Sequence, residues 1–239
     1  MKKQVSLITL VLFIAGVSHA AFIVEPHSSG LANGNFSFGG DTTSASASVP
    51  GGAPGLQATN SIFGGNGVDL PDTYVYSYTP GADSDNLNIP SDGPSYYFGN
   101  GLYSTKMEGG QSGYYNVYIT WPSTTNVNAE GCNLYVTHDN GVKSWMSVDG
   151  NTGGTNWIAE QWDHDPAAAI YGANDKWLKI ADQVPLIEGN TYTVTQEANA
   201  NTYVSMRSAG VMWEYAAPIP EPATMMLLGL GGLALIRRK

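Results

Sequence analysis

Short runs in which apolar and polar residues alternate recur along the middle of the chain, and they constrain its fold most strongly. In the runs 115–121, 132–138, 142–148 and 191–197, most alternate positions on one face carry an apolar or aromatic residue. A period of two is that of a β-strand, whose side chains point alternately to two faces. Turn residues separate the runs at intervals of roughly ten residues, and such spacing predicts an antiparallel sandwich or barrel.

Turn-forming residues predict one hairpin and one long loop. Asp139-Asn140-Gly141 separates two alternating runs, and Asn-Gly accepts the positive φ angles that tight hairpins need. Residues 30–67 hold Gly-Gly pairs and a Pro-Gly-Gly-Ala-Pro-Gly stretch. They are predicted to form a long Gly/Ser-rich surface loop with one strand near Phe36, and the Ser-Ala alternation at 44–48 is assigned to that loop.

The first twenty residues have the composition of a signal peptide. Lys2 and Lys3 precede an uncharged apolar run, and Ser18-His19-Ala20 ends it with small residues at the two positions that signal peptidases require. The segment is shorter than a membrane-spanning helix. We therefore predict export and a cut after Ala20, with a buried N-terminal strand or helix as the alternative.

The other end carries three ordered elements. Pro220-Glu221-Pro222 precedes an uncharged apolar run at 223–236, and Arg237-Arg238-Lys239 closes the chain. As a helix, this run would reach only about 21 Å at 1.5 Å per residue, against a bilayer core of about 30 Å. The basic end is expected on the cytoplasmic side.

These last residues resemble the PEP-CTERM sorting signal of Gram-negative bacteria. The resemblance implies that an exosortase recognises Pro220, Glu221 and Pro222, cuts the chain near them, and delivers it to the cell surface or extracellular matrix. The chain would first pass through the secretion machinery and be anchored transiently in the inner membrane. The predicted organisation is a signal peptide at 1–20, a folded domain at 21–217 and a sorting/transmembrane segment at 218–239. A tail anchor that stays uncut is the alternative.

The charge of the middle region excludes one class of partner. Between the two end segments, at 21–219, five of the ten basic and 19 of the 20 acidic residues remain, so the net charge is −14. Such a surface repels nucleic acid and anionic lipid. The single cysteine, Cys132, excludes an intrachain disulfide, and its place in an apolar alternation predicts a buried thiol.

Residues 113–215 resemble the golvesin-like family of bacterial sandwich domains. The resemblance is carried by four stretches and one asparagine: 113–122, Asn126, 134–138, 177–180 and 204–215. The sequence departs from the family by an insertion at 151–175. It also has Ser208-Ala209-Gly210 in place of the usual Ala-Asp-Ala, so no residue here can take any role of the missing aspartate. The resemblance implies a galactose-binding-like fold, an antiparallel jelly-roll-like β-sandwich, and carbohydrate binding.

Aromatic residues on the polar faces of predicted strands suggest a binding surface. The alternation places Tyr118, Tyr135 and Trp145 on the outward faces of neighbouring strands, and Trp157 and Trp162 could add a loop wall. Aligned exposed rings stack on sugar faces. The alternative is that these rings belong to a second packed layer. Tyr74, Tyr76 and Tyr78 form another stripe on one face, which predicts core or edge packing.

Two acidic loops could hold calcium, an ion that prefers oxygen ligands. One contains Asp163 and Asp165, the other Asp83 and Asp85. Neither has the spacing of an EF-hand, so solvated loops are the alternative, and we expect no other cofactor.

No nucleophile elbow or phosphate-binding loop occurs in the chain, so we expect no enzymatic activity. The sequence thus predicts a non-enzymatic cell-surface or extracellular-matrix protein that associates with exopolysaccharide. A lectin-like module that uses the exposed aromatic residues is the first alternative, and a polysaccharide-active enzyme is the second.

Overall fold

The computed structural model describes residues 21–40, 45–49, 53, 55–64, 72–84, 86, 111–122, 132–145, 177–198 and 206–220. The predicted signal peptide and the apolar run at 223–236 lie outside these ranges. Among the described residues, no helix has the length and apolar character needed to cross a membrane. The strands are β1 (Ala21–Val24), β2 (Phe36–Gly39), β3 (Ser46–Ala47), β4 (Ile62–Gly64), β5 (Thr73–Tyr78), β6 (Gly113–Thr120), β7 (Cys132–His138), β8 (Gly141–Trp145), β9 (Leu178–Leu186), β10 (Tyr192–Ala198), β11 (Met206–Ser208) and β12 (Gly210–Pro218).

The strands form two large antiparallel sheets and one small sheet. The four-stranded sheet has the order β1-β12-β6-β9, the five-stranded sheet β2-β5-β10-β7-β8, and the small sheet β11-β4-β3. The pairings β7–β8, β6–β9, β5–β10 and β1–β12 are nested one outside the next along the chain. This nesting, divided between two facing sheets, is the jelly-roll arrangement. The predicted all-β sandwich is therefore confirmed.

The core between the two large sheets is rich in aromatic rings. Tyr74, Tyr76 and Tyr78 are fully buried, as the core interpretation of this stripe predicted. Phe22 of β1 stacks on Tyr78 with ring centroids 4.9 Å apart. The Tyr76 hydroxyl bonds the Ser208 hydroxyl, so this phenol gains a polar partner inside an apolar core.

The alternating runs become strands at the predicted positions. β7 coincides with the run 132–138 and buries Cys132, while β10 covers the run at 191–197. β2 is the strand predicted near Phe36. Two predictions were wrong or incomplete: β3 and β4 lie within 30–67, where only one strand was expected, and β9 was not identified as a strand.

The hairpin at Asp139–Asn140 was predicted correctly, but the faces of the strand after it were reversed. The two-residue turn pairs His138 with Gly141, so Val142 lies opposite Thr137 and Lys143 opposite Val136. Val142 is consequently 59% exposed, although the predicted outward position of Trp145 would place Val142, three residues earlier, on the inward face. A turn fixes strand register, and a shift of one residue exchanges the two faces.

The outer face of the four-stranded sheet is covered by a second apolar layer. Buried residues of this layer include Ile23, Tyr118, Trp177 and Met212. Asn86 also protects the edge of β1, because its side-chain amide accepts from the Ile23 N–H at 2.8 Å and donates to the Ile23 carbonyl at 2.7 Å. The outward face of this sheet is thus largely interior.

Candidate functional site

An open cleft of about 380 Å³ lies beside the edge strand β2. We call it the aromatic cleft. Its lining consists of Pro26, His27, Ser28, Asn33, Phe36, Phe38, Ala45, Ala47 and Ile62. Its volume falls at the lower end of the roughly 300–1,000 Å³ that is usual for small-molecule sites.

Two phenylalanine rings of β2 give the cleft its aromatic surface. Phe36 and Phe38 are alternate residues of one strand and therefore share a face. Their rings meet edge to face, with centroids 5.0 Å apart. Behind them lie the buried rings of Tyr74 and Tyr76, and the Phe36 centroid is 5.1 Å from that of Tyr76. Both phenylalanines are half-buried, so the core fixes their orientation while part of each ring stays accessible.

A buried glutamate positions the segment that carries His27, Ser28 and Asn33. The Glu25 carboxylate accepts backbone N–H bonds from Leu31 at 3.0 Å, Gln57 at 2.8 Å and Ala58 at 2.7 Å. It is fully buried, and these charge-assisted bonds compensate for its loss of water. The sequence interpretation missed Glu25 because two of its partners lie 32 and 33 residues away, beyond any local pattern.

The polar side chains that line the cleft are one imidazole, one hydroxyl and one amide, those of His27, Ser28 and Asn33. Nδ1 of His27 accepts the Ser29 N–H at 3.3 Å, so in the neutral ring the proton is assigned to Nε2, which can donate. The Asn33 side-chain amide donates to the Glu25 carbonyl at 3.1 Å and to the Pro26 carbonyl at 2.9 Å. These bonds fix the side chain and use only its nitrogen, so its oxygen can accept from a ligand.

The small sheet supplies Ala47 and Ile62 to the cleft and is tied to the sandwich by buried polar contacts. The Gln196 amide donates to the Arg207 carbonyl at 2.8 Å, and the Tyr74 hydroxyl donates to the Met206 carbonyl at 3.4 Å. The Arg207 guanidinium lies over the Phe63 ring, 4.5 Å from its centroid. The cleft is thus built from segments that are distant in sequence but held by the core.

The predicted aromatic platform is not assembled as expected. Tyr118 belongs to β6 in the four-stranded sheet, whereas Tyr135 and Trp145 belong to the adjacent strands β7 and β8 of the five-stranded sheet. Trp145 lies opposite Leu134 in the register. Trp157 and Trp162 lie outside the described residues.

The two tyrosines of that platform have different surroundings. Tyr118 is buried, and its hydroxyl donates to Oε2 of Glu214 at 2.8 Å. Burial, and then the Glu214 charge, raise its pKa far above the usual value. Tyr118 therefore belongs to a second packed layer. Tyr135 is half-buried on the outer face of its sheet and donates to Oε1 of Glu197 at 3.1 Å, and burial followed by the Glu197 charge raises its pKa.

One of the four predicted calcium ligands is described, and its carboxylate serves a turn. Oδ2 of Asp83 accepts the Thr79 N–H at 2.7 Å and an amide N–H of Asn35 at 3.0 Å. Asp85, Asp163 and Asp165 lie outside the described residues. Within the described ranges, no group of three or more His, Cys, Asp and Glu side chains is placed to hold a metal ion.

The sorting residues directly follow the last strand. β12 ends at Pro218, and Pro220 is exposed two residues later, while Glu221, Pro222, Arg237, Arg238 and Lys239 lie outside the described ranges. Residues 218–239 match the family model of the PEP-CTERM protein-sorting motif. A jelly-roll sandwich followed by such a motif indicates an exported β-sandwich protein that is sorted at the membrane. The chain thus carries a PEP-CTERM sorting motif at 218–239, and this motif indicates an exported protein that an exosortase-type sorting system processes after transient anchoring in the membrane.

Comparison with other proteins adds one distant structural likeness. No curated protein matches the sequence. Among solved structures, the chain is similar to the Paenibacillus xanthan lyase, with 14% sequence identity and a TM-score of 0.47. The match covers 84% of this chain and 13% of that enzyme.

Proposed function

We propose that this protein is a non-enzymatic component of the cell surface or extracellular matrix that binds neutral sugar residues of exopolysaccharide in the aromatic cleft. The observation that carries the proposal is the pairing of accessible, core-oriented rings at Phe36 and Phe38 with hydrogen-bonding groups at His27 and Asn33. Apolar surface with a few placed polar groups is the usual character of a small-ligand site.

The chemistry of the cleft favours a neutral sugar. Sugar C–H groups pack against aromatic rings and release water, while hydroxyls exchange hydrogen bonds with an imidazole N–H and an amide oxygen. The lining contains no Asp, Glu, Lys or Arg, so no lysine or arginine is available to form an ion pair with a uronate or a sulfate. The net charge of −14 at 21–219 adds a general repulsion of polyanions.

A ring-removing substitution tests this assignment. Phe38→Leu keeps apolar bulk against Tyr74 but removes the stacking surface, so we expect retention in gels that contain neutral polysaccharides to weaken by about 3- to 10-fold, as the loss of one aromatic contact implies. The measurement is affinity electrophoresis of the mature exported protein in gels of a glucan, a mannan, a galactan and the polyanion alginate. Equal retention of Phe38→Leu and wild type on every neutral gel would refute the site.

Tyr135→Leu is the matched control, because it removes a half-buried ring from the opposite face of the same sheet. We expect it to leave retention unchanged, with thermal melts showing that both variants are folded. If Tyr135→Leu alone abolishes retention, the lectin-like alternative on the outer face, formed by Tyr135 with Glu197 and Asn133, replaces the cleft. The non-enzymatic assignment predicts that none of these polysaccharides releases reducing ends on incubation with the protein.

A further inference from the structure

Both ends of the sandwich domain meet at one pole. β1 begins at Ala21, which pairs with Glu214 of β12. Because the two strands are antiparallel, β12 runs past the start of β1 and ends there at Pro218. The sorting motif begins at residue 218. No spacer therefore separates the sheet from the motif, and the predicted signal-peptide cut after Ala20 lies at the same pole.

The last residues of β12 remain paired with β6 up to Pro218, where the sorting motif begins. Tyr215 is buried, and its ring meets that of Tyr115 edge to face, with centroids 5.4 Å apart. A Cβ at Gly113 would lie only 2.2 Å from Cε2 of Tyr215, so the ring packs directly on the glycine backbone. Ala217 pairs with Tyr114 and Pro218 with Gly113.

The opposite edge of this segment is uncovered within the described part of the chain. β1 pairs with β12 only from Val211 to Glu214, and no described strand continues beside residues 215–218. Ala216 and Ala217 are partly exposed and Pro218 is exposed. An uncovered strand edge offers backbone N–H and C=O groups with which another chain can pair.

We propose that residues 215–218 are the docking edge for the exosortase-type sorting protease, which pairs one of its own strands with them. Adding a strand to a sheet edge is a common way to hold an extended peptide. Pro220 lies two residues beyond Pro218, at most about 7 Å along an extended chain. An enzyme strand paired with the edge would therefore hold the Pro-Glu-Pro tripeptide at its reaction centre without unfolding the sandwich.

The short distance to the membrane supports the sorting protease as the occupant. The apolar run begins at residue 223, five residues after β12, and an extended chain of that length reaches only about 17 Å. While the tail is inserted, this pole of the sandwich therefore faces the bilayer surface, so the docking edge and the Pro-Glu-Pro tripeptide lie together where the anchored chain is processed. The inference depends on the sorting motif alone and is independent of sugar binding in the cleft.

An extension of β1 tests the proposal. Inserting Thr-Val-Thr-Val between Ala20 and Ala21 lengthens β1 by the four residues needed to cover 215–218, whereas Gly-Ser-Gly-Ser of the same length is the flexible control. Both full-length variants are expressed in cells that contain the sorting system. Mass spectrometry then follows the fraction of chains that keep Arg237-Arg238-Lys239, and also confirms both extended N-termini.

We expect the Thr-Val variant to lose its tail at least tenfold more slowly than wild type, and the Gly-Ser variant to be processed at the wild-type rate. Equal rates in the two variants, whether fast or slow, would overturn the proposal. Size-exclusion chromatography supplies a second criterion. If the mature protein is a dimer that the Thr-Val extension converts to a monomer, the edge belongs to a second copy of the chain, and the proposal is equally overturned.

Discussion

At the scale of single residues, Glu25 has the largest structural role that the sequence interpretation missed. One buried carboxylate receives N–H groups from Leu31, Gln57 and Ala58, and so joins the segment after β1 to the segment before β4. The backbone carbonyl of Glu25 also accepts a hydrogen bond from the side-chain amide of Asn33. The position of His27 and Asn33 in the aromatic cleft therefore depends on an acid that does not line the cleft.

Glu25→Gln is expected to lower the free energy of unfolding by about 3 kcal/mol, because an amide keeps one acceptor oxygen and turns an N–H group toward backbone donors. Urea denaturation followed by tryptophan fluorescence measures the change. Glu188→Gln, at an exposed glutamate, is the control and should change stability by less than about 0.5 kcal/mol. A similarly small change in stability for Glu25→Gln would contradict the role of Glu25 in joining these two segments.

At the scale of elements, the β7–β8 hairpin shows how a short turn determines which side chains face outward. Gly141 has φ +121°, and a Cβ there would meet no atom within 4 Å. Glycine is needed at this position because of the backbone conformation and not for lack of space, since residues with a side chain rarely adopt this φ. The turn pairs His138 with Gly141 and thereby sets the faces of Val142 and Lys143.

Gly141→Ala is therefore expected to destabilise the protein by about 1–3 kcal/mol through backbone strain. Gly34→Ala is the matched control: a Cβ at Gly34 also meets nothing within 4 Å, and its φ lies outside the positive region. Thermal unfolding of the two variants beside wild type makes the comparison. Equal melting temperatures for both variants would show that the turn tolerates a side chain.

At the scale of the whole molecule, the core contains phenols that must stay protonated. Burial raises the pKa of Tyr74, Tyr76 and Tyr118 well above the ordinary value, and it raises that of the Cys132 thiol to about 12. The folded state holds these protons at pH values where the unfolded chain releases them. Their stabilising contribution is complete below the unfolded pKa values and is lost as the pH rises above them.

Stability is accordingly expected to be nearly constant up to about pH 8, to weaken slightly as the unfolded Cys132 thiol ionises, and to fall steeply above about pH 10. The steep fall amounts to about 1.4 kcal/mol per pH unit for each buried tyrosine. Urea midpoints measured between pH 7 and pH 11 test this. Tyr76→Phe should reduce the slope above pH 10 by the share of one phenol, and a midpoint that stays constant to pH 11 would contradict the burial of these groups. Cys132 should react with a thiol reagent only when the protein unfolds.

The sequence by itself determined the sorting motif at 218–239, the all-β class and most strand positions, and it predicts the signal peptide at 1–20. Each of these follows from local composition or from a period of two, as at 132–138. Tertiary structure alone decided the partners of each strand, and so placed Tyr118 and Tyr135 in different sheets. It also decided which outward face becomes covered, which made Tyr118 interior. The aromatic cleft and its Glu25 support arise where segments 26–38 and 45–62 meet, and contacts between distant segments leave no periodic trace in the sequence.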